Sequence, residues 1–307
     1  MQNLRLLFLI LITITLQAKL INYDIKPKYL KSNKFMNIKV LDSMELRFDD
    51  YKGIEVNELS ALSYKKGKLY ALSNRGYLYK FNIKLKKNKV SRLTLKKAFE
   101  LKKKNGKRLK KKHRDAEGMV LVDNELYISF ERKPRIDVFN LNGKKLRKYQ
   151  IPKQLKYIRN YQSKNKALES IAYSKKYGIL TAPELPLIGS DEGLHVVYAK
   201  DKKFKFFASS SLTAIEFIDE DRLLTLERSF NQLTRQRVIV LKVVDLSKIK
   251  DGVCKTKVLA MLNSSKGWRL DNFEGLTKVG KNKFLMVSDD NRGFFQKTLL
   301  VLFKIMD

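Results

Sequence analysis

The stretch HRDAEGMVLV (113–122) places a charged, turn-prone tetrad before an apolar run, and a related stretch, DNFEGLTKVG, occurs at 271–280. Both stretches put a glutamate and a glycine directly before residues that are typical of a buried strand. A structural unit that occurs twice in one chain indicates an internal repeat. The number and spacing of these repeats therefore decide the fold.

A unit of three short apolar strands, separated by a tight turn and a loop, recurs along the chain. Five copies are visible, at 58–83, 117–141, 169–199, 212–244 and 274–305. Repeated antiparallel meanders of roughly 45–60 residues predict an all-β propeller, in which four-stranded blades surround a channel. A β-sandwich would explain the strands but not their repetition.

The fourth strand of each blade is less clearly marked than the first three. Residues 90–99, 145–152 and 255–262 are candidates for it. The segment NIKVLDSMELRF (37–48) is predicted to join the last blade and so close the ring through an N-terminal strand.

The composition limits the classes of site that the chain can build. With 307 residues and 44% hydrophobic content, the chain can bury a large core. Cys254 is the only cysteine, and His113 and His195 are the only histidines. This excludes an intramolecular disulfide, cysteine-rich metal motifs and histidine triads, so any metal is expected to be a hard ion with oxygen ligands.

The N-terminal residues resemble an export signal. Arg5 precedes an apolar run that is too short to span a bilayer, and Gln17-Ala18 suggests a cleavage site. We therefore predict a signal peptide at 1–18, a single domain at 19–307 with no transmembrane span in the mature chain, and a periplasmic or secreted location. An uncleaved membrane anchor is the alternative.

The chain carries a net charge of +34, and the charge is densest at 96–114, where eleven basic residues accompany one glutamate. Such a run attracts anions, so an anionic environment or small-molecule substrate is expected. The run has no interleaved aromatic stacking platform and lysine is abundant throughout the chain, so no specific nucleic-acid partner is predicted. A monomer is expected.

Acidic residues recur at one position in the repeats. Glu58, Glu117, Glu169 and Glu274 stand at the start of first strands, and the fourth unit has Ala214 instead. First strands are innermost in a propeller, and second strands return to the same rim. At the ends of the second strands lie Asn74-Arg75, Glu131-Arg132, Glu184, Glu227-Arg228 and Asp289-Asp290-Asn291-Arg292.

These two rings of polar residues are predicted to converge on one channel mouth. Facing carboxylates need cations, so the arginines can pair with neighbouring glutamates in a purely structural network between blades. Calcium offers another solution, because it takes roughly six to eight oxygen ligands in flexible geometry. Arginines also donate two parallel hydrogen bonds to phosphate or carboxylate groups.

Several of these motifs, in this order, resemble the phytase-like family called "esterase-like activity of phytase". The resemblance runs from Glu55 to Ile305 and is carried by DAEGM (115–119), LYISFERKPRIDVFN (126–140), ALESIAY (167–173), LLTLERSF (223–230), NFEGLTKV (272–279) and KFLMVSDDNRGFFQKTLLVLFKI (283–305). It implies six blades, calcium ions and phosphoester hydrolysis. The chain departs from the family at Asn74, where members often have an aspartate.

The resemblance assigns roles to the rim residues. The implied calcium ligands are Glu117, Glu169, Glu274, Asp289, Asp290 and Asn291. The implied catalytic carboxylates, which would accept a proton from water, are Glu131, Glu184 and Glu227. The implied substrate-binding residues are Arg75, Arg132, Arg228 and Arg292.

Two functions are compatible with this pattern. One is an exported, calcium-assisted hydrolase of phosphoesters or related esters. The alternative is a periplasmic or surface propeller that binds an anionic ligand or a protein partner without turnover, since a fold does not determine a function. Calcium binding by the acidic rings distinguishes the two.

Overall fold

The computed structural model describes residues 16–306, and strands dominate this part of the chain. It begins with β1 (Leu16–Gln17), β2 (Lys19–Asn22), β3 (Lys34–Phe35) and β4 (Ile38–Arg47). Short 3₁₀ helices occupy connecting segments, at Lys111–His113, Lys153–Leu155, Ile158–Asn160 and Ser264–Lys266. None of the helices described is long and apolar enough to cross a membrane.

The strands that follow form antiparallel meanders, and each meander is named here as a unit. Unit 1 has β5 (Leu59–Lys65), β6 (Lys68–Ser73), β7 (Tyr77–Lys86) and β8 (Lys89–Glu100). Unit 2 has β9 (Ala116–Val122), β10 (Glu125–Phe130), β11 (Arg135–Asn140) and β12 (Lys145–Tyr149). Unit 3 has β13 (Leu168–Ser174), β14 (Gly178–Pro183), β15 (Leu194–Tyr198) and β16 (Lys203–Phe207).

The last two units differ in how their sheets continue. Unit 4 has β17 (Ser211–Phe217), β18 (Arg222–Phe230), β19 (Arg237–Lys250) and β20 (Val253–Asn263). A parallel bridge between Lys205 and Val253 joins it to unit 3 in one eight-stranded sheet. Unit 5 has β21 (Asn272–Gly280), β22 (Lys283–Asp289) and β23 (Leu299–Ile305), and β4 is its fourth strand.

The N-terminal strand joins unit 5 as the sequence predicts. β4 pairs antiparallel with β23, from Glu45 opposite Leu299 to Ile38 opposite Ile305. Two strands that precede β4 in the chain also pair with neighbours: β2 pairs with β4, and β1 pairs with β8 of unit 1. Ala18 is buried between units 5 and 1, and its N–H donates to the Leu93 carbonyl at 3.1 Å. Residues 1–15 of the predicted signal peptide lie outside the described residues, so the signal peptide stays a prediction.

The five first strands contact one another in cyclic order. β5 contacts β9, β9 contacts β13, β13 contacts β17, β17 contacts β21, and β21 contacts β5. Five apolar clusters fill the spaces between neighbouring units, so both faces of each sheet are covered. This arrangement is propeller-like, because each sheet packs on the next around a common centre.

Each first strand carries a β-bulge near its start. The bulge marks the same position in every unit and so shows which residues are equivalent. Leu59 pairs with Ser73 and Ala61 with Leu72, which leaves Ser60 unpaired in the ladder. The same irregularity falls at Glu117 with Gly118, at Glu169, at Thr213 and at Glu274. The structure therefore corrects the sequence alignment: Ser60 and Thr213, rather than Glu58 and Ala214, are equivalent to the three glutamates.

Hydroxyl side chains at the bulges connect neighbouring units. Ser60 Oγ donates to the Ala116 carbonyl of unit 2 at 2.8 Å, and Thr213 Oγ1 donates to the Phe273 carbonyl of unit 5 at 3.2 Å. A bulge leaves a residue without its ladder partner, so its side chain is free to reach an adjacent strand. Units 1 and 4 thus use this position for packing, whereas units 2, 3 and 5 place a carboxylate there.

The glycine after a bulge glutamate permits close contact between first strands. A Cβ added at Gly118 would lie 2.5 Å from the Glu169 carbonyl oxygen and 2.6 Å from Ser129 Oγ. We expect Gly118→Ala to lower the free energy of unfolding by about 1–3 kcal/mol, because the backbone of unit 3 would have to move. Urea denaturation measures the loss.

Gly280→Ala is the matched control for this substitution. A Cβ there meets nothing closer than 3.8 Å, and Gly280 is not among the glycines with positive φ. The control should change stability by about 0.5 kcal/mol or less. Equal losses in the two variants would show that close approach is not the reason for Gly118.

Candidate functional site

The first strands begin, and the second strands end, at the same end of the ring, which is called the rim. Five carboxylates from units 2 and 3 meet there. Ligand oxygens of Asp115, Glu117 and Glu131 lie within 4.8 Å of one another, and so do those of Glu131, Glu169 and Glu184. Glu131 belongs to both groups, so the five residues form one carboxylate cluster.

Local backbone pairing explains why these side chains meet. Glu117 and Glu169 sit on the bulges of β9 and β13. Glu131 and Glu184 directly follow β10 and β14, and the N–H of Glu131 still donates to the Asp115 carbonyl at 3.0 Å. Ser129 Oγ connects the two bulges, since it accepts from Gly118 N at 2.9 Å and donates to the Glu169 carbonyl at 3.0 Å.

The cluster is only partly neutralised by cations. Arg132 Nε lies 2.5 Å from Asp115, and Lys166 Nζ lies 2.5 Å from Glu184. Within residues 16–306, the carboxylates of Glu117 and Glu169 have neither an ion pair nor a hydrogen bond. Carboxylates grouped in this way are unfavourable as anions unless a cation or protons compensate them.

Burial and mutual repulsion raise the pKa values of the cluster. Burial, followed by repulsion from Asp115, raises the pKa of Glu131 to about 8. Burial is also the main reason why the pKa values of Glu117 and Glu169 lie well above their ordinary value, with further contributions from Glu274 on Glu117 and from Glu117 on Glu169. At neutral pH the metal-free cluster therefore retains protons.

A second acidic pair lies in unit 5 next to the cluster. Arg228 separates the two groups, with its guanidinium 3.5 Å from both Glu184 and Glu274. Glu274 also accepts from Asn272 Nδ2 at 2.7 Å, and burial raises its pKa to about 7. Burial, then repulsion from Glu274, raises the pKa of Asp289 to about 9.

The loop after β22 is held by its own polar residues. Asp290 accepts from the N–H groups of Glu58 and Arg292, both at 3.1 Å, and from Thr298 Oγ1 at 2.8 Å. Asn291 N donates to Asp289 at 2.7 Å. Asp290 and Asn291 therefore shape this loop, and they lie outside the cluster of units 2 and 3.

Two of the predicted substrate-binding arginines lie on the rim of units 1 and 5. Arg75 and Arg292 both pair with Glu55, at 2.9 Å and 2.6 Å. Arg75 also lies 3.5 Å from Glu58, whose pKa is raised by burial. All four predicted arginines thus have carboxylate partners, and only Arg132 and Arg228 contact the cluster or its neighbour Glu274.

The structure does not bring Glu227 to the cluster. Successive side chains of a strand point to opposite faces, so Glu227 lies on the other face of β18 from Arg228. It is fully buried and lies 2.9 Å from Lys242 Nζ. Its oxygens also accept from Ser209 N at 2.6 Å and Thr225 Oγ1 at 3.1 Å, which satisfies the carboxylate without any residue of the rim.

Sequence reasoning missed three residues at or beside the site. Asp115 stands two residues before Glu117, on the same side of the strand, and Asn272 stands in the same relation to Glu274. A polar residue two positions before a bulge glutamate was the sequence signal that could have found Asp115 and Asn272. Lys166 had no such signal, because it lies in a connecting segment and reaches Glu184 only through the fold.

The donor set of the cluster fits a hard divalent cation. All its ligand atoms are carboxylate oxygens, and two of the five carboxylates have no other partner among the described residues. In each group of three, the ligand oxygens lie within 4.8 Å of one another, which is close enough for one ion to contact all three. The fold and the site together define a propeller-like all-β protein with an acidic, cation-compatible rim.

The chain belongs to the phytase-like family described as "esterase-like activity of phytase", whose model matches residues 54–292. This confirms the resemblance seen in the sequence. No curated protein matches the chain.

Three solved structures are similar to the chain at low identity. Myxococcus xanthus glutaminyl cyclase has 11% identity and a TM-score of 0.44, with 82% of this chain and 92% of that chain covered. A chain of the Mitotic Checkpoint Complex has 9% identity and a TM-score of 0.37, with 86% and 69% covered. The computationally designed Ika4 protein has 12% identity and a TM-score of 0.30, with 66% and 92% covered.

Proposed function

We propose that this chain is an exported, calcium-dependent hydrolase of phosphoesters or related esters, built as a propeller of five blades. The cyclic contacts among five first strands support five blades rather than the six that the resemblance implies. The observation that carries the function is the carboxylate cluster, in which Glu117 and Glu169 have no partner among residues 16–306. Family membership supports hydrolysis, and the predicted signal peptide supports export.

The residues that would hold the metal form two groups that share Glu131: Asp115, Glu117 and Glu131, and Glu131, Glu169 and Glu184. Calcium supplies Lewis-acid polarisation of a phosphoryl or acyl oxygen when it is bound. Arg228 and Lys166 lie at the edge of the cluster and present cations to an incoming anion. Glu131 has a pKa of about 8 in the metal-free site, so metal binding near neutral pH would displace its proton.

Calcium titration calorimetry on the wild type tests this proposal. We expect calcium binding that weakens at least about tenfold in Glu117→Gln/Glu169→Gln, because the variant removes two unpartnered carboxyl groups that would ligate the ion. Glu192→Gln is the matched control, since Glu192 is an exposed carboxylate in the loop that follows β14. Absence of calcium binding by the wild type would overturn the metal-dependent mechanism.

Hydrolysis is measured separately from binding. With 4-nitrophenyl phosphate and 4-nitrophenyl acetate as substrates, turnover should require calcium and stop with a chelator. Turnover that is unchanged by the chelator would contradict calcium dependence even if calcium binds.

A non-catalytic binding propeller is the second candidate. The ion pairs of Arg75, Arg132, Arg228 and Arg292 favour it, because a rim whose cations already have partners is also what a structural network requires. This candidate predicts no turnover of either ester and no calcium binding.

A further inference from the structure

A cleft of about 880 Å³ lies beside the carboxylate cluster, on the outer side of unit 2. Its walls come from the loop and strand at 132–136, the end of β12 at 148–151, and the 3₁₀ segment at 156–159. Arg132 lines the cleft and also pairs with Asp115 of the cluster. The cleft is therefore adjacent to the proposed hydrolytic site but is built from different residues.

The lining of the cleft is strongly basic. Six of its thirteen residues are lysine or arginine, and none is acidic. Arg132 and Arg135 have carboxylate partners, at 2.5 Å and 2.8 Å. Within the described part of the chain, no ion pair is found for the exposed residues Lys133, Lys148, Lys156 and Arg159. A concave surface with uncompensated cations concentrates anions.

The cleft also has an apolar and aromatic side. Tyr157 is 53% exposed, and the Arg159 guanidinium lies 5.2 Å from the centre of its ring. Tyr149 packs edge-on against Tyr127, with ring centres 5.6 Å apart. Ile158 packs against the apolar cluster between units 2 and 3. Small-molecule sites characteristically combine such apolar walls with a few charged groups.

We propose that this cleft binds a small anion attached to an aromatic or similarly flat apolar group. The flat group would lie against Tyr157 and Ile158, where it is removed from water, and the anion would lie among Lys133, Lys148 and Lys156. Neither part is sufficient alone, since exposed cations bind simple anions weakly and an uncharged ring leaves their charge uncompensated. The proposal does not depend on hydrolysis or on calcium.

Calorimetric titration of the full chain with naphthalene-2-sulfonate tests the proposal, in the presence of a chelator. This probe carries a flat ring and a permanent anion, and it contains no ester that the protein could hydrolyse. We expect it to bind at least about tenfold more tightly than either inorganic sulfate or 2-naphthol. Because the chelator removes metal, a failure of the calcium-dependent mechanism does not affect this result.

Lys156→Ser/Tyr157→Ser should weaken binding of the probe at least about tenfold. Lys31→Ser/Tyr29→Ser is the matched control, because it removes an exposed lysine and a 67% exposed tyrosine far along the chain from the cleft. Both pairs are exposed, and thermal melts verify that each variant is folded. Equal affinity for sulfate and the probe, or equal loss in the two variants, would overturn the proposal.

Discussion

Lys242→Met will lower the free energy of unfolding by about 3–5 kcal/mol. Lys242 Nζ lies 2.9 Å from the carboxylate of Glu227, which is 0% exposed, and also donates to the Phe207 carbonyl at 2.9 Å. The substitution leaves a carboxylate buried without its cation, and a buried uncompensated charge is costly because it has lost its hydration. Urea denaturation monitored by circular dichroism measures the change.

Glu227→Gln/Lys242→Met should recover more than half of this loss, because it removes both charges together. Lys176→Met is the comparison for an exposed pair, since Lys176 and Asp221 are 44% and 29% exposed. It should cost less than about 1 kcal/mol. If Lys242→Met cost no more than Lys176→Met, the Glu227–Lys242 pair would not be a main support of unit 4.

Glu131→Gln will stabilise the calcium-free protein at about pH 9 by roughly 2–5 kcal/mol and will have little effect near pH 4. The pKa of Glu131 is about 8 in the folded chain and about 4.3 when unfolded, so the folded state binds more protons between these values. The contribution of Glu131 to the free energy of unfolding is therefore fully present below pH 4 and is lost as pH rises through 8. Glutamine cannot ionise, so the variant avoids the loss.

Thermal melts of the wild type and the variant across pH, with excess chelator, measure this difference. The difference between the two proteins is the readout, because the net charge of +34 also destabilises the fold at low pH in both. Excess calcium should stabilise the wild type most at high pH, where the ligands are ionised. A difference that grows as pH falls would contradict the raised pKa.

The repeats, the all-β class and the closing strand could be predicted from the sequence, because apolar and polar residues alternate along the strands of all five copies. β16 (Lys203–Phe207) was not predicted, because it has only five residues and only two of its three phenylalanines are buried. The bulges at Ser60 and Thr213 were also missed. There a hydroxyl replaces the glutamate, so no charge marks the position.

The site was predictable as a ring of acids but not as a particular cluster. Glu227 and Arg228 are neighbours in sequence, and a shift of one residue along a strand reverses which of them faces the rim. Which carboxylates come within 4.8 Å depends on how units 2 and 3 pack, and this packing is set by Ser129 and Gly118 rather than by any acid.

The pairing of β4 with β23 constrains the order in which the protein can assemble during synthesis. β4 leaves the ribosome before units 1 to 4, whereas its partner β23 is made after them. Until then, one edge of β4 lacks the strand that will cover it, and its buried residues Val40, Met44 and Leu46 lack most of their contacts. The ring can close only after β23 has been made, so a growing chain keeps one edge of β4 exposed while units 1 to 4 are synthesised.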